Sequence, residues 1–153
     1  QFDMIQDKRG AFTKIFSQKI FNKFKIKKIR QINICTFKKK NTLRGFHYQI
    51  EPKGEVKLVF CVSGGCNIHI LDTRKKSKTY KKNQTIKLSQ NDSYVALVPK
   101  GCANAFQSLK NNSSVVYFST NEYYPHYEKK IHYKDNFVKI KFPKNMILSD
   151  KDS

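Results

Sequence analysis

His47 lies in the stretch Arg44-Gly45-Phe46-His47-Tyr48-Gln49, three residues after an arginine and ten before Lys57. Histidine is the side chain best suited to moving protons near neutral pH. Arg and Lys are the side chains that hold phosphates and oxyanions. A base beside fixed positive charge points to proton abstraction from an anionic substrate. Lys57 supports this reading because it sits inside the otherwise apolar segment 56–62, where an unpaired ammonium would be costly. Gln31 and Asn33 are two residues apart, so in a strand they share a face. They form either a binding pair or an ordinary cross-strand hydrogen-bonding pair.

Other chemistries find little support. Cys35, Cys61, Cys66 and Cys102 show no CxxC spacing, and each sits among apolar residues, as small buried hydrophobes do. The four histidines (His47, His69, His126 and His132) include no pair at i, i+2 and no HExxH, which disfavours a metal centre. GxSxG, P-loop and GxGxxG motifs are absent. The formal charge of +20 comes from 31 basic and 11 acidic residues, with the lysines in short runs where turns are expected. Without a nucleic-acid recognition signature, that pattern reads as a solvated surface that also favours a phosphate-bearing substrate. No apolar run is long enough for a membrane span, and no signal peptide is expected at the start. The cysteine usage fits the cytoplasm. The first residue is Gln1 rather than Met, so it is not expected to be the biological start.

The elements that must position these residues read as short strands. At 153 residues the expectation is a single domain, residues 1–153, able to bury about two thirds of its unfolded-chain surface. Phe12, Ile15, Phe16 and Ile20 recur at helical spacing. From residue 31 onward, strands are expected at 31–37, 43–49, 56–62, 67–71, 79–88, 94–98, 104–109 and 114–119, with turn-forming clusters such as Pro52-Lys53-Gly54 and Pro99-Lys100-Gly101 between them. That punctuation predicts an antiparallel sandwich or barrel, and about eight strands suit a jelly roll. Residues 123–153 read as an irregular arm packed back on the barrel.

A run of motifs then matches one family in order: Asp7-Lys8-Arg9-Gly10-Ala11-Phe12, Gln31-Ile32-Asn33, Leu43 to Gln49, Lys57-Leu58-Val59, Asp72-Thr73-Arg74 with Ser77 and Thr79, Pro99-Lys100-Gly101, Tyr117, Tyr123-Tyr124-Pro125, Asp135 and Leu148 to Asp152. Together they resemble dTDP-4-dehydrorhamnose 3,5-epimerase and related sugar-nucleotide epimerases over nearly the whole chain. The resemblance implies an all-β, cupin-like jelly-roll sandwich or barrel with a few short peripheral helices. It also implies a homodimer with no cofactor or metal, and a chain lacking the family's N-terminal strand and some C-terminal tail. The implied substrate is a nucleotide-linked 4-keto-6-deoxy sugar, epimerised at C3, C5 or both through an enolate. His47 resembles the base, Asp152 the carboxylate that fixes its tautomer, Lys57 the enolate stabiliser and Tyr117 the acid on the opposite face. Arg9 and Arg44 resemble diphosphate and sugar contacts. Gln31 and Asn33 then face the nucleotide, and Tyr124, or Tyr123, stacks on its base.

Three positions depart from the pattern. Asn104 stands where many members carry a histidine; it can donate to an oxyanion but carries neither charge nor proton. Ile68 replaces an acid, which would remove a polar group from the pocket, and Lys14 stands where a glutamate is common. These changes bear on substrate identity more than on reaction type. The rival readings are an epimerase restricted to one carbon or acting on another sugar nucleotide, such as a GDP-linked keto-heptose, and a silent nucleotide-sugar-binding jelly roll.

Overall fold

The computed structural model describes residues 3–152; Gln1, Phe2 and Ser153 lie outside the described residues. Its elements are β1 Met4–Asp7, β2 Gly10–Thr13, α1 Gln18–Lys23, β3 Gln31–Phe37, β4 Leu43–Gln49, β5 Lys57–Ser63, β6 Gly65–Asp72, β7 Asn83–Ser89, β8 Ala96–Val98, β9 Cys102–Ser108, β10 Ser113–Ser119 and β11 Glu128–Lys130, with a 3-10 turn at Pro125–Tyr127. β1 and β2 form a separate hairpin. The other strands make two antiparallel sheets in the orders β3-β10-β5-β8 and β11-β4-β9-β6-β7.

Alternation builds the core between the sheets. Cys66, Ile68 and Ile70 of β6 meet Val59 and Cys61 of β5, with Val115, Phe106 and Phe37 alongside. Both outer faces are covered as well, which is why several strands read as continuous apolar runs. Phe21 and Ile26 pack with Leu58, Phe60 and Phe118 on the outside of the four-stranded sheet. The C-terminal arm brings Ile131, Phe137, Phe142 and Leu148 onto Leu43, Phe46, Leu71 and Ala105 outside the five-stranded sheet. These four arm side chains are partly buried, so each contributes less than the ~1.5–3 kcal/mol of a fully buried one, yet together they exceed the ~0–1 kcal/mol of a partly exposed ion pair. Apolar contact, not charge, therefore docks the arm.

The arm is also stitched to β4. Ile131 N–H donates to Phe46 O at 3.0 Å, and Leu43 N–H donates to Ile147 O at 2.9 Å. An isolated parallel bridge joins Thr42 to Ile147. The expected packing of the arm against the sheet is observed over its described residues, 123–152, with the short strand β11 inside it.

Two local expectations need correction. The helical spacing from Phe12 to Ile20 does not carry a helix there: Phe12 lies in β2, and the helix is confined to Gln18–Lys23. Ile5 faces Phe12 across the hairpin, so strand pairing overrides the periodicity. The strand expected over 79–88 begins only at Asn83. Asp72 draws the preceding residues into turns instead. Its carboxylate accepts from Arg74 Nε at 2.8 Å, Ser77 Oγ at 2.6 Å and Thr79 Oγ1 at 2.6 Å. The Arg74 guanidinium is the main cause holding the Asp72 carboxyl far below the usual range, helped by the two hydroxyls.

Candidate active site

The imidazole of His47 sits between two carboxylates. Nε2 lies 2.8 Å from Asp152 Oδ1, and Nδ1 lies 3.0 Å from Glu128 Oε1. The His47 side chain is 23% exposed and Asp152 only 6%. A neutral imidazole donates from one nitrogen alone, whereas an imidazolium donates from both, so a proton taken up by the ring would meet an acceptor. Both anions come from the arm, one from β11 and one from its last turn.

The backbone beside His47 is shaped to aim it. Pairing of β4 with β9 shifts register between Arg44 and His47, a bulge of the kind that redirects side chains near functional sites. Gly45 sits at φ +116°, and a Cβ there would meet Asn104 O at 2.4 Å and Ala105 Cα at 2.8 Å. Only glycine lets β4 approach β9 this closely.

His47 opens into a cavity of about 760 Å³ whose lining includes Gln31, Asn33, Arg44, Lys57, Asn104, Tyr117 and Tyr123. Lys57 Nζ donates to Asn104 Oδ1 at 3.0 Å and pairs with Glu55 at 3.2 Å. Because an ammonium only donates, the Asn104 oxygen must face it, which turns the amide nitrogen the other way. Gln31 Nε2 donates to Asn33 Oδ1 at 2.8 Å, leaving Asn33 Nδ2 buried without a partner. Burial pushes the Tyr117 hydroxyl up to about 12, with Cys35 and Glu55 adding to the rise and Arg44 opposing it. Tyr117 thus keeps its proton at neutral pH. Arg44 stacks near Phe37 at 5.7 Å and has no carboxylate partner among the described residues.

The cavity's carboxylates are engaged throughout. Glu55 accepts from Ser119 Oγ and pairs with Lys57. Glu128 also receives Lys151 Nζ and the Tyr123 hydroxyl, each at 3.2 Å. Burial pushes the Glu128 carboxyl up, but Lys151 and His47 outweigh it and hold it below the ordinary value. Asp152 Oδ2 lies 3.4 Å from Gly45 N. Acceptors are consumed while donors remain available, so the cavity suits an acceptor-rich anion.

The structure therefore gathers His47, Asp152, Lys57, Tyr117, Gln31, Asn33, Arg44 and Asn104 around one space. Two sequence candidates fall outside it. Arg9 is 84% exposed at the β1–β2 turn and paired with Asp7 at 2.6 Å. Tyr124 packs its ring under Lys53 Nζ at 4.1 Å and gives its N–H to Gln49, so Tyr123 takes the place at the cavity. Ile68 does not remove a polar group from the pocket, because it is fully buried in the core between the sheets. Lys14 is exposed. Cys35 is not simply buried; it lines the cavity. Sequence reasoning missed Glu128, Glu55 and Lys151. Neither glutamate carried a signal distinct from surface charge, since each lies within two residues of a lysine.

Comparison with known proteins gives the same picture. The family model described as dTDP-4-dehydrorhamnose 3,5-epimerase matches residues 1–153. The dTDP-4-dehydrorhamnose 3,5-epimerase of Shigella flexneri is 36% identical over 148 residues, covering 95% of this chain and 82% of that protein. The crystal structure of the enzyme of that name from Bacillus anthracis, with TDP and PPi bound, superposes with a TM-score of 0.94 at 30% identity, covering 99% of this chain and 88% of the other. A 3,5-epimerase from Legionella pneumophila in complex with dTDP-4-keto-L-rhamnose gives a TM-score of 0.90 at 30% identity, covering 99% and 81%. The cupin-like jelly roll expected from the sequence is the fold observed, and the chain belongs to the dTDP-4-dehydrorhamnose 3,5-epimerase family.

Proposed function

We propose that the protein is an isomerase that epimerises a dTDP-linked 4-keto-6-deoxy sugar at C3, C5 or both. The observation that carries this reading is the His47 imidazole held between carboxylates at the wall of a donor-rich cavity. Protons on C3 and C5 lie α to the C4 ketone. His47 takes one of them, and the electron pair of the broken C–H bond moves into an enolate whose charge rests largely on the C4 oxygen. Asp152 holds the ring and supports the imidazolium. Lys57 and the amide nitrogen of Asn104 donate to the oxyanion, a preorganised arrangement of the kind that supplies much of enzymatic rate enhancement. Tyr117, protonated at neutral pH, returns a proton to the opposite face.

Binding follows the same complementarity. Arg44 suits a diphosphate or sugar oxygen, and the unpartnered Asn33 Nδ2 suits a carbonyl of the nucleotide, with Gln31 orienting it. Tyr123 offers a ring for the base. Arg9 reaches no part of its own cavity, so its role as a diphosphate contact requires a second copy. Ile32 and Ile34 are 60% and 66% exposed on β3, an edge strand, and Ile5 and Phe12 are exposed on the hairpin that carries Arg9. Such an edge invites pairing, which supports a homodimer that delivers Arg9 across its interface. No helix among the described residues is long and apolar enough to cross a membrane.

The test is solvent exchange. Incubated with dTDP-4-keto-6-deoxyglucose in heavy water, the protein is expected to introduce deuterium at C3, C5 or both, and His47→Ala to abolish it. Label at one carbon would restrict the reaction to that centre. No label with any keto-sugar nucleotide would leave only a binding role.

A further inference from the structure

We propose that Glu128 is the proton outlet of His47, the group that discharges the imidazolium to solvent between one proton abstraction and the next. This rests on His47 as the base.

The two carboxylates on His47 are not equivalent. Asp152 is almost wholly enclosed, and its second oxygen lies 3.4 Å from the Gly45 backbone N–H. It is placed to orient and stabilise the ring. Glu128 bridges inside and outside. Oε1 lies 3.0 Å from His47 Nδ1, while Oε2 meets Tyr123 and Lys151, both on the exposed rim.

A base that has taken a carbon-bound proton must lose it before acting again, and a reaction at two carbons needs this within one binding event. With Nε2 committed to Asp152, Nδ1 is the atom that faces the substrate. Glu128 Oε1 lies 3.0 Å from that same nitrogen. The reacting carbon and Glu128 therefore alternate at Nδ1. After abstraction the Nδ1–H bond breaks, its electron pair stays on the imidazole, and an O–H bond forms on Glu128 Oε1. Lys151 and His47 keep this carboxyl acidic, so the acid form is short-lived and passes its proton to water or buffer. Charge and atoms balance with no other reactant. On the opposite face Tyr117 takes a proton from solvent independently.

The test is turnover of dTDP-4-keto-6-deoxyglucose across a series of imidazole concentrations at fixed pH and ionic strength. Wild-type turnover is expected to be insensitive to imidazole. Glu128→Gln keeps the shape and a hydrogen bond but cannot accept the proton. Its kcat is expected to fall by on the order of 10²-fold, the low end for a lost proton-transfer group, at unchanged KM, and to recover as imidazole rises. Glu128→Asp keeps a carboxylate and is expected to need no imidazole. Should Glu128→Gln not fold, Glu128→Ala takes its place in the titration. A variant as active as wild type, or one impaired but indifferent to imidazole, overturns the relay alone. A wild-type protein with no turnover and no exchange overturns the epimerase reading as well.

Discussion

In the proposed mechanism Tyr117 and His47 address opposite faces of one sugar ring, so their contributions can be separated. Replacing Tyr117 with Phe removes the proton donor while leaving the base and its carboxylates in place. His47 can then abstract a proton, exchange it with solvent and return it to the same face. Tyr117→Phe is expected to incorporate deuterium at the reacting carbon without inverting it, which mass spectrometry combined with NMR of the product distinguishes. Inversion at the wild-type rate would remove Tyr117 from the mechanism. The residues proposed for this chemistry were legible in the sequence because their types are rare in their surroundings: a histidine in an aromatic strand, a lysine inside an apolar one. Glu128 and Glu55 were not legible, because an acid among lysines reads as surface charge until the fold turns it inward.

At the level of elements, the β4–β9 contact decides where His47 points. Gly45 makes that contact possible, with no room for a side chain against Asn104 O. Gly45→Ala is expected to destabilise the fold by about 1–3 kcal/mol, seen as a lower urea midpoint. Its activity should fall further than stability explains, because the bulge that aims the imidazole is disturbed. Retained activity with only lowered stability would show that the aim of His47 does not depend on the bulge. Strand positions were readable from turn chemistry and alternation, and 31–37 and 43–49 agree with the structure residue for residue. The failures have physical causes. The helical spacing around Phe12 yielded to pairing with Ile5. The early start given to the strand at 79 ignored how strongly Asp72 gathers Arg74, Ser77 and Thr79.

For the whole molecule, the exposed apolar residues of β3 and of the β1–β2 hairpin are where a second copy is expected. Ile32→Lys adds charge at that edge without touching the cavity. It is expected to shift the protein towards monomer in sedimentation and to raise KM for the sugar nucleotide, because Arg9 would no longer be delivered. A variant that stays dimeric with unchanged KM would place the interface elsewhere. The sequence carried the charge of +20 but not its organisation. Only the assembled cavity reveals that its acceptors are already engaged and its donors left over.

The division of labour between sheet and arm has a further consequence. His47, Lys57 and Tyr117 lie on inner strands of the sandwich, whereas both anions that attend His47 belong to the arm, Glu128 on its short edge strand β11 and Asp152 in its last turn. Partial detachment of the arm would silence chemistry while the other strands stay paired. Catalysis should therefore have its own, lower tolerance to heat and urea than the β-sheet signal in circular dichroism, and recover on dilution as fast as the arm redocks. Coincident loss of activity and sheet signal would instead make sandwich and arm one cooperative unit.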